Sequence, residues 1–328
     1  MKEHSDNLTN EITEYTRIIA EDPEDASVYF ERGWAYLKQG QHDLAIADFT
    51  KVIALDPDNA SAYHNCGVAY GRSGRYELAC AQFMKAIELM PDDAEAYYNR
   101  GKTYHDRLML DLAIADFSTA IDLLPGYADA HNNRGIAFSD KEQHDLAIAD
   151  YDIAIQVSPD DAIPYNNRGN CYHEGKQYDL AIADYSKAIA LDPEFVVAYN
   201  NRGGVFDDMQ QYDLAIADFH KAMELDPDSA DAYSGLALVH FHLGEYDQAL
   251  REVEHSLALD DQAAASYTIL AEIQSMMGQT EQFYHSFERA LSLDSKELKN
   301  LDEHILARHQ GEERFQALVA KLSSPTTE

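Results

Sequence analysis

The chain has 328 residues, 45% of them hydrophobic, and a formal net charge of −34 from 59 acidic against 25 basic side chains. That share of apolar material excludes a disordered chain, and a field of that sign repels nucleic acid and anionic membrane while steering basic partners inward. No run of about 18 apolar residues occurs, so no transmembrane helix is predicted.

The opening segment MKEHSDNLTNEITEY holds no apolar run and is predicted to be neither a secretory signal nor an anchor, which points to a cytoplasmic protein. Tyr15, Ile18, Ile19 and Pro23 then lie in helical register, predicting a capping half-repeat helix within residues 1–25. From Ala26 the sequence repeats. NRG recurs at Asn99, Asn133, Asn167 and Asn201, and DLAIAD begins at Asp43, Asp111, Asp145, Asp179 and Asp213, in steps of 34 or multiples of it. This period divides the chain into eight units: 26–59, 60–93, 94–127, 128–161, 162–195, 196–229, 230–263 and 264–295.

Each unit reads as two helices. The eighth position is glycine at Gly33, Gly67, Gly101, Gly135, Gly169 and Gly203, inside a helical pattern where glycine costs about 1 kcal/mol relative to alanine. Close approach of two helix backbones is the expected reason, with Ala45, Ala79, Ala113, Ala147, Ala181 and Ala215 at position twenty as the matching small surface. Aromatics at position eleven (Tyr36, Tyr70, Tyr104, Phe138, Tyr172, Phe206) and twenty-four (Phe49, Phe83, Phe117, Tyr151, Tyr185, Phe219) fill the space between the pair. Proline, from Pro57 to Pro227, ends the second helix, and Asp58, Asp160 and Asp228 are expected to cap the next one.

The last two units depart from this pattern. Ala237 and Ala271 replace the glycine, Val253 one aromatic, Phe283 the alanine, and Asp261 and Ser295 the proline. Beyond them Leu298, Leu301, Ile305 and Leu306, then Phe315, Leu318, Val319 and Leu322, predict one or two amphipathic capping helices over 296–322. Residues 323–328 are expected to be disordered.

With the large residue at position four (Tyr29, Tyr63, Tyr97, His131, Tyr165, Tyr199, Tyr233, Tyr267), these coincidences resemble the tetratricopeptide repeat family, from Ala26 to about Ser295. The resemblance implies an all-α fold, a right-handed α-solenoid superhelix of antiparallel helix pairs, whose concave groove is lined mainly by first helices. Positions 2, 5, 6, 9, 12 and 13 would then face the groove. Asn65, Asn99, Asn133, Asn167 and Asn201 stand at position six, Asn132, Asn166 and Asn200 at position five, and Asn170 at position nine. A side-chain amide offers both a donor and an acceptor, so such a ladder suits the backbone of an extended peptide. The row is similar to the asparagine ladder of O-GlcNAc transferase, from which only the binding mode is carried over. Tyr98 lines the same face, and Asp106, Asp140, Glu174 and Asp208 at position thirteen, with Glu95, Asp129 and Asp207, make it acidic against a single Lys102. Phe30, Trp34, His64, Val68, Tyr98 and Lys102 occupy positions five and nine of the first three units, so the carboxylate clamp of chaperone-binding members is missing.

Chemistry finds little support. No HExxH, P-loop, dinucleotide fingerprint or nucleophile elbow is present. Cys66, Cys80 and Cys171 form no close pair and read as reduced core thiols. His105 and His173 recur at position twelve beside Asp106 and Glu174, but neither spacing nor ligand count suits a closed metal site. Arg32, Arg100, Arg134, Arg168 and Arg202 at position seven accompany Asp48, Asp116, Asp150, Asp184 and Asp218 at position twenty-three. Both are lost together in the second unit, where Cys66 and Gln82 stand, which favours an ion pair within the hairpin over a basic stripe along the groove. The expectation is a non-enzymatic scaffold without cofactor or metal, binding a neutral-to-basic peptide or partner tail. The alternative is a regulatory subunit clasping a folded catalytic or secretion-system partner. An enzyme or metal-dependent protein is the third reading.

Overall fold

A computed structural model of the chain describes residues 2–323, and every regular element in them is a helix. Met1 and residues 324–328, where most of the expected disordered tail falls, lie outside the described residues; Ser323 is helical. The chain divides into two units, residues 1–167 and 168–328, and the division falls inside α10 (Ala162–Glu174).

In the first unit α1 (Lys2–Glu21) precedes four hairpins: α2 (Ala26–Lys38) with α3 (His42–Leu55), α4 (Ala60–Arg72) with α5 (Tyr76–Leu89), α6 (Ala94–His105) with α7 (Leu110–Leu123), and α8 (Ala128–Asp140) with α9 (His144–Val157). Each second helix also packs against the next first helix, and α2, α4, α6 and α8 touch in succession. The second unit repeats the scheme. There α11 (Tyr178–Leu191) leads to α12 (Val196–Asp208) with α13 (Tyr212–Leu225), α14 (Ala230–His242) with α15 (Tyr246–Leu259), and α16 (Ala264–Met276) with α17 (Thr280–Leu293). Three shorter helices follow, α18 (Glu297–Asn300), α19 (Glu303–His309) and α20 (Glu313–Ser323). The chain is thus an all-α solenoid of consecutive helix pairs.

Local chemistry sets the helix ends. At α3 the last helical residue is Leu55, and Asp56 is extended at φ −134°, ψ 87°, as the residue before a proline must be to avoid its ring. The caps differ from expectation by one residue. Asn59 and Ser229, not Asp58 and Asp228, accept from the N–H of Ala62 and Ala232, and Asp161, not Asp160, accepts from Ile163. A capping side chain must come from the residue directly before the first helical one to reach the free N–H groups of the first turn.

The glycine at position eight makes room first for the aromatic ring at position twenty-four of its own hairpin. The expected backbone approach appears beside it at Gly101, where a Cβ would also lie 3.3 Å from the Ala113 carbonyl oxygen. A Cβ at Gly135 would lie 2.7 Å from Tyr151 Cε1, and one at Gly67 2.8 Å from Phe83 Cε1. In the second unit Phe219 is gripped from two sides, since a Cβ would come to 3.0 Å at Gly203 and 2.4 Å at Gly235. With no direction left for the ring to move, Gly203→Ala is expected to destabilise by about 2 kcal/mol in denaturant titration. Its neighbour Gly204 meets only His173 Cε1, at 3.9 Å, so Gly204→Ala should gain about 0.5–1 kcal/mol from helix propensity. Equal effects at the two sites would refute the ring-seat explanation.

The carboxy-terminal segment is held by polar contacts to α16. Thr268 Oγ1 donates to Glu297 Oε2 at 2.7 Å, the Asp302 N–H donates to Glu272 Oε1 at 2.6 Å, and Arg308 Nη1 donates to the Ser275 carbonyl at 2.8 Å. Phe283, standing where earlier hairpins have alanine, stacks on His309 with centroids 4.0 Å apart.

Candidate functional site

The position-seven arginines point away from the first-helix face and into the hairpin. Each grips its aspartate through two nitrogens: Arg134 Nε and Nη2 lie 2.8 and 2.7 Å from Asp150 Oδ2 and Oδ1, and the same fork recurs at Arg32–Asp48, Arg100–Asp116, Arg168–Asp184 and Arg202–Asp218. Arg134 Nη1 further reaches Ser118 Oγ at 3.0 Å on the preceding second helix. Tyr97 and Tyr104 flank the Arg100 guanidinium at 5.5 and 5.9 Å, which gives the aromatics at positions four and eleven a role that their spacing alone did not disclose. The arginines are therefore structural cations, and a basic stripe is ruled out.

The asparagines of position six lie half-buried on the first helices. In the first unit their amide nitrogens are already engaged. Asn65 Nδ2 donates to the Ser61 carbonyl at 2.9 Å, Asn133 Nδ2 to Tyr98 OH at 2.8 Å and to the Asp129 carbonyl, and Asn167 Nδ2 to Asn132 Oδ1 at 3.1 Å; Asn99 Nδ2 meets His64 Nε2 at 3.3 Å. Because backbone carbonyls only accept, the nitrogen ends of Asn65 and Asn133 must face them, and no described residue donates to Oδ1 of Asn65, Asn99 or Asn133. In the second unit Asn201 Nδ2 donates to Asn170 Oδ1 at 3.0 Å, and Asn200 Nδ2 to Ser229 Oγ at 3.3 Å. Asn65, Asn99 and Asn133 thus present Oδ1 as an acceptor in a fixed direction, while Asn167 Oδ1 lies 3.5 Å from Asn166 Nδ2.

Position five is covered more than expected. Asn166 is buried, and His64, Tyr98 and Asn132 each meet the asparagine of the next first helix. The reason is the contact between successive first helices, which places position five in the seam between them. Tyr98, in that seam, has its phenol pushed up to about 12 by burial.

The acidic row is also partly engaged by histidines. His105 Nε2 lies 2.7 Å from Asp140 Oδ2, and His173 Nε2 lies 2.8 Å from Asp208 Oδ2, so these histidines pair with the acid of the following unit and not with the adjacent Asp106 and Glu174. Asp207, counted among the groove acids, is buried and meets His242 Nδ1 at 3.0 Å. That hydrogen bond raises the His242 imidazole above its usual value. Asp106 and Glu174 remain exposed. Ser229 and the histidine–acid offsets were not legible beforehand, because each joins residues one unit apart through helix stacking.

All three cysteines are buried thiols, and burial pushes Cys66 up to about 11, away from the reactive thiolate. Among the described residues no group of three His, Cys, Asp or Glu side chains is placed to hold a metal ion. No helix among them is long and apolar enough to cross a membrane.

Comparison with known proteins follows this geometry. Models described as tetratricopeptide repeat match residues 14–47, 94–126, 128–161, 162–195 and 208–273, and one described as TPR repeat matches 33–74 and 72–106. No curated protein matches the chain. Among solved structures it is similar to the APC/C hetero-tetramer Cut9-Hcn1, with a TM-score of 0.63 at 18% identity over 81% of this chain and 52% of that one. The chain spans about half the length of that protein. A tetratricopeptide repeat protein from Parabacteroides merdae gives 0.63 at 16% identity, covering 76% of this chain and 98% of that one. Pseudomonas aeruginosa pilF gives 0.53 at 21% identity, covering 70% and 97%. At these identities the likeness concerns the fold.

Proposed function

Because the chain belongs to the tetratricopeptide repeat family, we propose that it is a non-enzymatic protein-interaction scaffold whose first-helix face binds an extended, neutral-to-basic peptide or partner tail. The observation that carries this reading is the orientation of the asparagine row. Each amide is tied through its nitrogen, so the side chain is held in one rotamer and Oδ1 of Asn65, Asn99 and Asn133 is left as an acceptor. A row of pre-oriented acceptors suits the N–H groups of an extended backbone, or lysine and arginine donors, and loses little side-chain entropy on binding. Exposed Asp106 and Glu174, together with the overall charge of −34, favour the same kind of ligand.

The test begins with a partner captured from the host on the immobilised chain. Asn133→Ala with Asn167→Ala is expected to weaken that complex by about tenfold or more, at roughly 1 kcal/mol per lost hydrogen bond. Raising salt from 50 to 500 mM should weaken it further. Unchanged affinity in the double variant, with thermal stability preserved, would remove the asparagine row from the interface.

A further inference from the structure

We propose that the outer faces of α7 and α9 form a second docking surface, for an amphipathic helix whose apolar stripe is flanked by lysine or arginine. Residues spaced i, i+3, i+7 and i+11 share one stripe of a helix. Every second helix of the first unit begins this stripe with an exposed leucine: Leu44, Leu78, Leu112 and Leu146. In α3 and α5 the stripe is then interrupted by Lys51 and Lys85. In α7 and α9 the equivalent places hold Thr119 and Ile153, and the stripe runs on to Leu123 and Val157. Leu112, Leu123, Leu146, Ile153 and Val157 are 38–50% exposed. Within the second unit α11 and α13 carry lysine again, as Lys187 and Lys221. The charge that breaks this stripe elsewhere is therefore absent from two consecutive second helices, both packed on α8.

The turn before α7 adds an independent observation. Leu108 sits in the left-handed region at φ 57°, a conformation shared by Glu142, Lys176 and Gln210 in the equivalent turns, but its side chain is apolar and 79% exposed. The exposed leucine therefore adds apolar surface beside the start of α7, where the later turns present polar or charged groups.

Charge selects the occupant. The exposed charged residues of α7 and α9 are Asp111, Asp122, Asp145 and Asp152, neither helix carries lysine or arginine, and at this rim Lys141 pairs with Asp111. A second copy would set acidic rim against acidic rim, and anionic lipid would be repelled in the same way. A helix with basic flanks satisfies both the apolar stripe and the rim.

The probe is a synthetic peptide of about 18 residues, long enough for some 27 Å of helix, with leucines on one face and lysines on its flanks. It is titrated into the full chain against a scrambled peptide of identical composition that has no apolar face. The amphipathic peptide should bind at least about tenfold more tightly than the scramble. Leu146→Gln with Ile153→Gln should cost about tenfold, the loss of two half-exposed apolar side chains from a contact. Thr119→Lys with Ile153→Lys, which copies the residue of the sister helices and so keeps the fold, should do the same. Leu180→Gln, the matching change in α11, should leave affinity within about twofold, as should Asn133→Ala with Asn167→Ala on the first-helix face. Equal binding of the scramble, or equal loss from Leu180→Gln, would overturn the proposal. So would peptide binding that depends on Asn133 and Asn167, since that result moves the peptide to the first-helix face. Concentration-dependent dimerisation abolished by Ile153→Gln would assign the surface to a second copy instead.

Discussion

Asp150→Leu is expected to lower stability by about 3–5 kcal/mol, the largest single effect anticipated for this chain. Asp150 is 3% exposed and accepts both arms of Arg134, and its Oδ1 also lies 3.0 Å from His131 Nδ1. The other ring nitrogen of His131 faces the Pro125 carbonyl at 3.2 Å. Removing the carboxylate takes both arms of the fork from the half-buried Arg134, which keeps its Nη1–Ser118 contact, and takes the Nδ1 partner from the buried His131. Arg134→Leu should be similarly costly, because it leaves the Asp150 carboxylate buried without its fork. The double variant should fall short of the sum by at least about 1 kcal/mol, since the second substitution no longer strands a partner. Denaturant titration, with amide exchange in α8 and α9 as the local readout, measures the cycle. Strict additivity would show that the pair contributes nothing as a pair. The chain contains its own precedent, for Cys66 and Gln82 replace both partners in α4 and α5, and that hairpin keeps its helices and its Gly67–Phe83 contact.

Glu272→Gln is expected to flatten the pH dependence of stability near neutrality. Glu272 is 3% exposed, and burial pushes its carboxyl up to about 7, against the opposing pull of the Asp302 N–H. Asp302 and Glu297 add to the rise, whereas His242 counters it. Between roughly pH 4.5 and 7 the folded state therefore binds more protons at this site than the unfolded state does. Stability falls as pH rises through that window, by about 3 kcal/mol in all at 1.36 kcal/mol per unit. The raised His242 acts in the same direction, since its contribution is present at low pH and is lost as pH rises through its folded value. Glutamine keeps an oxygen for the Asp302 N–H and carries no charge, so the variant should exceed the parent at pH 8 and match it near pH 5. The protection of amides in α18 and α19 should follow, because the Glu272–Asp302 bond ties that segment to α16. An unchanged slope in the variant would remove Glu272 from the titration.

The sequence by itself determined the elements that depend on short-range chemistry. The 34-residue period marked the hairpins, and the joint loss of Arg and Asp in one unit identified the ion pair, because both partners lie in one hairpin at a constant separation of 16 residues. Even there the glycine was read incompletely, since composition shows that space is needed but not that a ring is the group nearest to it. Helix ends illustrate a further limit. Asp260 and Asp294 terminate α15 and α17 in the same extended conformation as Asp56, although no proline follows them. The packing of the next helix holds that turn where the local rule is absent.

Only the tertiary structure decided what the candidate binding face presents. Asn133 meets Tyr98, Asn167 meets Asn132, and His105 meets Asp140, each across 35 residues. Such pairs arise from the rotation between stacked helices, which no spacing within a unit encodes. The same stacking buried Asn166 and tied Asn133 to Tyr98 and Asn167 to Asn132, whereas Asn65 is held within its own helix by the Ser61 carbonyl. The repeat pattern was written in residues that touch within a hairpin; the chemistry of the face lies in residues that touch between hairpins.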